Sequence, residues 1–202
     1  ELKIIPDYPS LKKVEMEQLV FSIITDAQKQ KFITEREMDV SYELEGYSRY
    51  RINLHFEKDN VGLVARVISN VIPTMEELDL PPIALELISR PQGLILVTGP
   101  TGCGKSTTLA AMVQRINDNR FANIITLEDP IEYIYTPNRS IIKQRQLGTD
   151  MNSFGNALKH VLRQDPNVIM VGEMRDLETI GATITLAETG HLVLATLHTH
   201  NA

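Results

Sequence analysis

The sequence predicts an α/β fold, with a mainly parallel sheet in the larger C-terminal part and a small α+β unit before it. From Gly93 onward, short apolar runs alternate with helix-like segments, which is typical of parallel strands joined by crossover helices. Before that, two segments of alternating polarity flank Gly46, as an antiparallel hairpin requires. We therefore divide the chain into an N-terminal domain at 1–72, a linker with a short helix at 73–92, and a core at 93–202.

In the N-terminal domain we expect one helix over Val14–Phe32, because apolar residues recur there at helical spacing. Three strands follow, at Glu37–Leu44, Ser48–Glu57 and Gly62–Ile68. The second strand has apolar residues on one face and polar residues, including Arg49 and Arg51, on the other. Prolines break regular structure over Pro73–Pro82, and a short helix is predicted at Ile83–Ser89.

In the core the predicted elements alternate. Strands are expected at Gly93–Thr98, Asn123–Leu127, Asn167–Val171 and Leu192–Leu197. Helices are expected at Thr107–Asn117, near Ser153–Arg163, and at Asp176–Thr189, where Gly190 ends the helix as a C-terminal cap.

A phosphate-binding loop is the strongest motif of the chain. Residues 99–106 match G-x-x-x-x-G-K-S/T at every fixed position, between an apolar strand and a helix. In such a loop, backbone N–H groups and the helix dipole bind phosphate oxygens. We expect Lys105 to contact the β- and γ-phosphates and the Ser106 hydroxyl to bind Mg²⁺. The candidate residues for binding ATP or ADP are Gly99, Thr101, Gly102, Cys103, Gly104, Lys105, Ser106 and Thr107.

Two carboxylate clusters follow predicted strands. Glu128, Asp129 and Glu132 lie within five residues, which suits a metal site with a water-positioning base; an acidic solvated turn is the alternative. The apolar run ending at Glu173 has the form of a Walker B strand, but Gly172 stands where an aspartate is usual. We therefore expect Glu173 to take the Mg²⁺-side role through a water molecule; the alternative is a core strand whose first exposed residue is a glutamate.

Two histidines flank the last predicted strand. His198, at its carboxyl end, is a candidate to contact the γ-phosphate or a neighbouring subunit. His191, at its start, is a candidate to orient the carboxylates. The alternative for both is a hydrogen-bonded structural histidine.

Taken together, these blocks resemble the PilT family of type IV pilus retraction ATPases, within the larger secretion-ATPase superfamily. The similar blocks are the phosphate loop, Thr126–Glu132 (the Asp box), Val171–Thr179 (Walker B), Ala187–Val193 with Thr196–Thr199 (the His box), and Ser140–Arg145 with Leu147 and Gly148, which resembles the retraction branch. The resemblance covers the whole chain, although the family's first N-terminal strands and its C-terminal part are expected to lie outside the printed sequence.

What the resemblance implies is specific. The fold is a RecA-like P-loop ATPase core preceded by a PAS-like domain, and the catalytic glutamate is Glu132. The protein is a cytoplasmic homohexamer at the inner face of the bacterial membrane, acting on an inner-membrane platform protein and using ATP and Mg²⁺. Because no arginine is expected beside the phosphate loop, the resemblance implies that Arg51 and Arg66, with Arg49 third, approach the nucleotide when the two domains close. The alternative is that these arginines only provide a polar, water-exposed face for the sheet.

Composition excludes several other classes. The net charge of −6 and the absence of a basic, aromatic-rich stretch disfavour nucleic acid binding by a RecA-type recombinase or helicase. One cysteine permits no disulfide framework and favours a reducing compartment, and no run reaches the roughly 18 apolar residues that suggest a membrane span. Two alternatives stay open: a pilus extension or type II secretion ATPase, and a regulator that binds ATP without turnover. Intact Lys105, Glu132 and Glu173 disfavour the regulator.

Overall fold

The computed structural model describes residues 8–68 and 71–197. The chain forms two compact units, Glu1–Ile68 and Ser69–Ala202.

The first unit is a small α+β structure. Its elements are α1 (Lys13–Ser22), α2 (Asp26–Glu35), β1 (Glu37–Leu44), β2 (Ser48–Glu57) and β3 (Asn60–Ile68). The strands form an antiparallel sheet in the order β1-β2-β3. Its core contains Val20 and Phe32 from the helices and Ile52 and Leu54 from β2.

The prediction of a single helix over Val14–Phe32 is wrong, because two helices meet there. Thr25 is the N-cap of α2: its hydroxyl accepts a hydrogen bond from the Gln28 N–H (3.3 Å), and the Gln28 side chain accepts one from the Thr25 N–H (2.9 Å). This reciprocal capping holds Thr25 in an extended backbone conformation and starts a new helix.

The second unit is an α/β structure with a five-stranded parallel sheet, which confirms the predicted fold class. The sheet order is β4-β8-β7-β5-β6. Its elements are α3 (Ile83–Ser89), β4 (Gly93–Thr98), α4 (Lys105–Asn119), β5 (Asn123–Glu128), β6 (Ile141–Gln146), α5 (Phe154–Val161) with a 3₁₀ turn at Leu162–Gln164, β7 (Val168–Val171), α6 (Leu177–Glu188) and β8 (Leu192–Leu197).

Strand β6 was not predicted as a strand. Its sequence is largely polar and shows neither a continuous apolar run nor apolar–polar alternation. It pairs with β5 alone, at the edge of the sheet, so it is only partly covered and does not need the apolar sequence of a central strand.

Helices cover both faces of the sheet. Successive residues of β5 and β7 point to opposite faces: Ile124 and Val168 pack in the cluster that contains α3 and α4, while Ile125 and Ile169 pack in the cluster that contains α5 and α6. The central strands are therefore buried on both sides, so a substrate of this unit is expected to bind at the carboxyl ends of the strands and the loops that follow them.

Candidate nucleotide site

The phosphate loop joins β4 to α4 at the carboxyl ends of the parallel strands. Gly99, Gly102 and Gly104 have φ values of +149°, +81° and +95°. A Cβ at Gly102 or Gly104 would meet no atom within 4 Å, so the loop is open at these two positions. Helix α4 begins at Lys105, directly after Gly104, so the N–H groups of its first turn are presented at the loop.

Lys105 is buried, and its ammonium group is held inside the loop. Nζ donates hydrogen bonds to the carbonyl oxygens of Gly99 and Pro100, both at 2.9 Å. Ser106, the next residue, is exposed at the first turn of α4. The Thr107 hydroxyl lies 3.2 Å from the Tyr133 hydroxyl, so α4 is joined to the segment that follows β5.

That segment, residues 129–140, connects β5 to β6 and is called here the Glu132 loop. Glu132 is half-buried, and its backbone N–H donates to the carboxylate of Glu128 at the end of β5. Burial raises the pKa of Glu128, against hydrogen bonds from the Thr126 hydroxyl (2.6 Å) and the Gln144 amide (3.1 Å) that lower it. Glu128 is therefore not part of a solvated acidic turn; it belongs to the interior support of the loop.

Arg175 connects the ends of β5 and β7. Its guanidinium pairs with Glu173 (Nη2 to Oε1, 2.5 Å) and with Asp129 (Nη1 to Oδ2, 3.5 Å). The Glu173 side chain is only 13% exposed, so this pairing neutralises a carboxylate that is largely removed from water. No arginine was predicted among these carboxylates. The signal was present, since Arg175 follows Glu173 by two residues.

Gly172 has a steric reason to replace the usual aspartate. Its N–H donates to the Leu127 carbonyl (2.8 Å), which holds the ends of β7 and β5 together. A Cβ at this position would lie 3.2 Å from that carbonyl oxygen and 3.4 Å from the Cα of Glu128. A side chain here would require the end of β5 or β7 to shift by a few tenths of an ångström.

Of the two histidine predictions, the structure covers only the one for His191. His198 lies outside the described residues. The prediction that His191 orients the carboxylates is wrong: it precedes β8, and its Nδ1 lies 3.1 Å from the Leu186 carbonyl oxygen at the end of α6. Because the strands are parallel, His191 lies at the amino ends of the strands, whereas the residues that follow β5 and β7 lie at the carboxyl ends.

In the first unit, the three arginines lie on the sheet face opposite the core residues Ile52 and Leu54. Arg51 and Arg66 are directly paired across β2 and β3, and the Arg49 guanidinium donates to the Ser41 hydroxyl (3.2 Å). Like charges at directly opposed positions are unfavourable in a sheet, so the Arg51–Arg66 pair by itself does not stabilise the unit.

The donors available to a metal suit Mg²⁺. Among the described residues, no group of three or more His, Cys, Asp or Glu side chains could hold a metal by itself. Mg²⁺ usually keeps several water molecules and is bound by one or two carboxylates together with substrate phosphates. The Ser106 hydroxyl and the Glu173 carboxylate, the latter predicted to act through a water molecule, are oxygen donors that suit this ion. In the part of the chain that the structure describes, no helix has the length and hydropathy needed to cross a membrane.

A glycine loop leading into a helix at the carboxyl edge of a parallel sheet, with carboxylates after the neighbouring strands, defines a P-loop nucleoside-triphosphate-binding protein. The chain belongs to the type II/IV secretion system protein family, whose model matches residues 74–202.

Two relatives show which members of this family the chain resembles. The chain is 44% identical to the type IV pilus retraction ATPase PilT of Pseudomonas aeruginosa over 96% of its length and 56% of the relative's. It is 46% identical to a twitching motility protein of Neisseria gonorrhoeae, again over 96% of the chain and 52% of the relative. The chain thus spans about half the length of these relatives.

A solved structure agrees with the fold. The crystal structure of the pilus retraction motor PilT with bound ADP superposes with a TM-score of 0.94 at 45% identity, covering 98% of this chain and 57% of that one. The resemblance to the PilT family is therefore confirmed in sequence and in fold.

Proposed function

We propose that this chain is the ATP-hydrolysing part of a motor that drives type IV pilus retraction. One observation carries the ATP-hydrolysing part of the proposal: the hydrogen bond between Thr107 and Tyr133 (3.2 Å). Thr107 directly follows Ser106, and Tyr133 directly follows Glu132. The bond therefore joins the start of α4, next to the phosphate loop, to the segment that contains the candidate water-positioning glutamate.

The roles follow from the chemistry of each group. Lys105 would exchange its loop carbonyls for β- and γ-phosphate oxygens. Ser106, directly, and Glu173, through a water molecule, would hold Mg²⁺, which would neutralise charge on the phosphate oxygens. Glu132 accepts a proton from water as the water oxygen bonds to the γ-phosphorus and the bond to ADP breaks. Arg51, Arg66 and His198 approach the γ-phosphate, with the arginines supplying positive charge in the transition state.

The larger assembly is also part of the proposal. The relatives that match over 96% of the chain are named for pilus retraction and twitching motility, which supports retraction over extension or type II secretion. We propose a homohexamer on the cytoplasmic side of the inner membrane that acts on a pilus platform protein and does not act on nucleic acid.

Two substitutions test the catalytic part by separating binding from chemistry. In the purified protein, ATP hydrolysis should require Mg²⁺ and stop on its chelation. Lys105→Ala should weaken the binding of both ATP and ADP, because it removes the positive charge at the phosphates. Glu132→Gln should keep nucleotide affinity but lower kcat by about 10²–10⁴-fold, the range for general acid–base catalysis.

Lys31→Ala, on the exposed surface of α2, is the control and should match the parent. Turnover near the parent level in Lys105→Ala would sink the assignment.

The direction of movement needs a cellular test. Cells that lack a retraction ATPase should carry surface pili but lose twitching motility, and the gene for this protein should restore it. Loss of surface pili on deletion would indicate an extension ATPase instead.

A further inference from the structure

The Glu132 loop is held by side chains from the elements on both sides of it. The buried side chain of Asn117, in α4, donates to the Thr136 carbonyl (2.8 Å) and accepts from the Asn138 N–H (3.0 Å). From the other side, the edge strand β6 contributes two glutamines, Gln144 and Gln146.

Gln144 binds the backbone on both sides of Ile134, two residues after Glu132. Its Oε1 accepts from the Tyr135 N–H (3.0 Å), and its Nε2 donates to the Tyr133 carbonyl (2.7 Å) and to Glu128 Oε1 (3.1 Å). A glutamine amide has two N–H donors and one carbonyl oxygen, and all three are used here. No other uncharged side chain of this length has the same set of groups.

Glu128 links these contacts to Glu132, because its carboxylate also accepts the Glu132 backbone N–H. Gln144 therefore fixes the backbone after Glu132 and also the acceptor that fixes Glu132 itself. On the preceding side, Gln146 Oε1 accepts from the Ile131 N–H (3.2 Å). The backbone is thus bound to β6 immediately before and immediately after the glutamate.

We propose that Gln144 is a positioning residue for ATP hydrolysis: it holds the Glu132 loop so that the Glu132 carboxylate stays directed at the attacking water. The inference rests on the role proposed for Glu132. Positioning of this kind matters because a displacement of about 1 Å can lower a rate about 10²-fold. It also gives the polar sequence of β6 a function, since an apolar edge strand could not make these contacts.

The test compares Gln144→Ala and Gln144→Glu with a matched control, Gln114→Ala. Gln144→Glu keeps the shape and the acceptor but loses both donors. Gln114 is half-buried like Gln144, and its amide donates to Asp118 within α4 (3.0 Å). Its removal leaves Asp118 in place as the acceptor of the Asn138 side chain (3.1 Å). Three quantities are measured: kcat and KM for ATP, the Kd of ADP, and amide hydrogen exchange over residues 129–140.

Both Gln144 variants should lower kcat by about 10- to 100-fold while KM and the ADP Kd stay within about twofold. Exchange over the Glu132 loop should become faster, and Gln114→Ala should change neither kcat nor loop exchange. Parent kcat and parent exchange in both Gln144 variants would overturn the inference. An equal loss of ADP affinity would also overturn it, because it would indicate general damage to the site.

Glu132→Gln, measured alongside, separates the two proposals. Parent-level turnover in that variant removes the role of Glu132 itself. Loss of turnover there, with unchanged Gln144 variants, removes only the positioning role. The exchange measurement does not depend on activity, so it decides whether Gln144 restrains the loop even if a variant hydrolyses no ATP.

Discussion

At the scale of single residues, Glu128 shows how a carboxylate can serve a site without facing the substrate. It is buried at the end of β5 and accepts from Thr126, Gln144 and the Glu132 N–H. Burial raises its pKa, and the nearby Glu132 charge adds to this. Tyr135, packed beside it, also has a raised pKa, first because of its own burial and then because of the Glu128 charge.

This predicts a pH dependence of stability. A carboxyl group whose pKa is raised in the folded state favours folding below its unfolded pKa, near 4.5, and this contribution is lost as the pH rises through the folded value. Glu128→Gln cannot ionise, so its free energy of unfolding should improve relative to the parent as the pH rises.

Urea unfolding at pH 4.5 and pH 8 measures this difference. Glu188→Gln, at an exposed position of α6, is the control and should show little change between the two conditions. A Glu128→Gln difference that does not move with pH would mean that Glu128 has the same pKa in both states.

At the scale of elements, the ends of β5 and β7 must approach closely for Asp129, Glu173 and Arg175 to form one cluster. Gly172 permits this, because it leaves the Leu127 carbonyl unobstructed. Thr196 in β8 adds a hydrogen bond from its hydroxyl to the Gly172 carbonyl (2.5 Å). Three neighbouring strands are thus joined at the point where the candidate Mg²⁺ ligand leaves the sheet.

Gly172→Ala should therefore lower stability by about 1–3 kcal/mol, as overpacking does, and should also lower kcat because Glu173 moves with the strand end. Gly181→Ala is the matched control, since a Cβ at this α6 position meets no atom within 4 Å. It should raise stability by about 0.5–1 kcal/mol, because alanine is favoured over glycine inside a helix. Thermal unfolding and turnover of the two variants check both signs; equal effects would contradict the steric account of Gly172.

At the scale of the whole molecule, the proposed chemistry divides its charges between two units. The second unit has the phosphate loop and the carboxylates, and the first has Arg51 and Arg66 opposed on a sheet. An arginine that reaches the γ-phosphate late in the reaction stabilises the transition state more than the bound substrate. In the proposed motor, such a division would couple the nucleotide state to movement of the units.

Arg51→Ala and Arg66→Ala should each lower kcat by at least about tenfold, at the low end for an arginine finger, while the ADP Kd changes little. ADP lacks the phosphate that these residues are proposed to contact, whereas Lys105→Ala should weaken both nucleotides. Turnover and the dissociation constants of ATP and ADP, with Lys31→Ala as the control, distinguish these cases. Equal loss of ADP and ATP affinity in the arginine variants would mean that they only maintain structure.

Local pattern by itself determined the α/β class, the phosphate loop and most strand positions, and β4 has the bounds predicted for it. Central strands and glycine turns are specified by neighbouring residues, so they can be recognised one segment at a time. The capping at Thr25 is also a local feature, but it lies inside an apolar periodic run that predicts one continuous helix.

Only the tertiary structure decided which side chains meet. Strand β6 is polar and lies at an edge, so it has no recognisable period, yet it supplies Gln144 and Gln146 to the Glu132 loop. Three further features depend on how the strands are arranged in the sheet. They are the close approach at Gly172, the pairing of Arg175 with residues after two strands, and the placement of His191 at the amino ends of the strands. Contacts between segments distant along the chain carry no local periodic signal, because they arise only when the sheet is assembled.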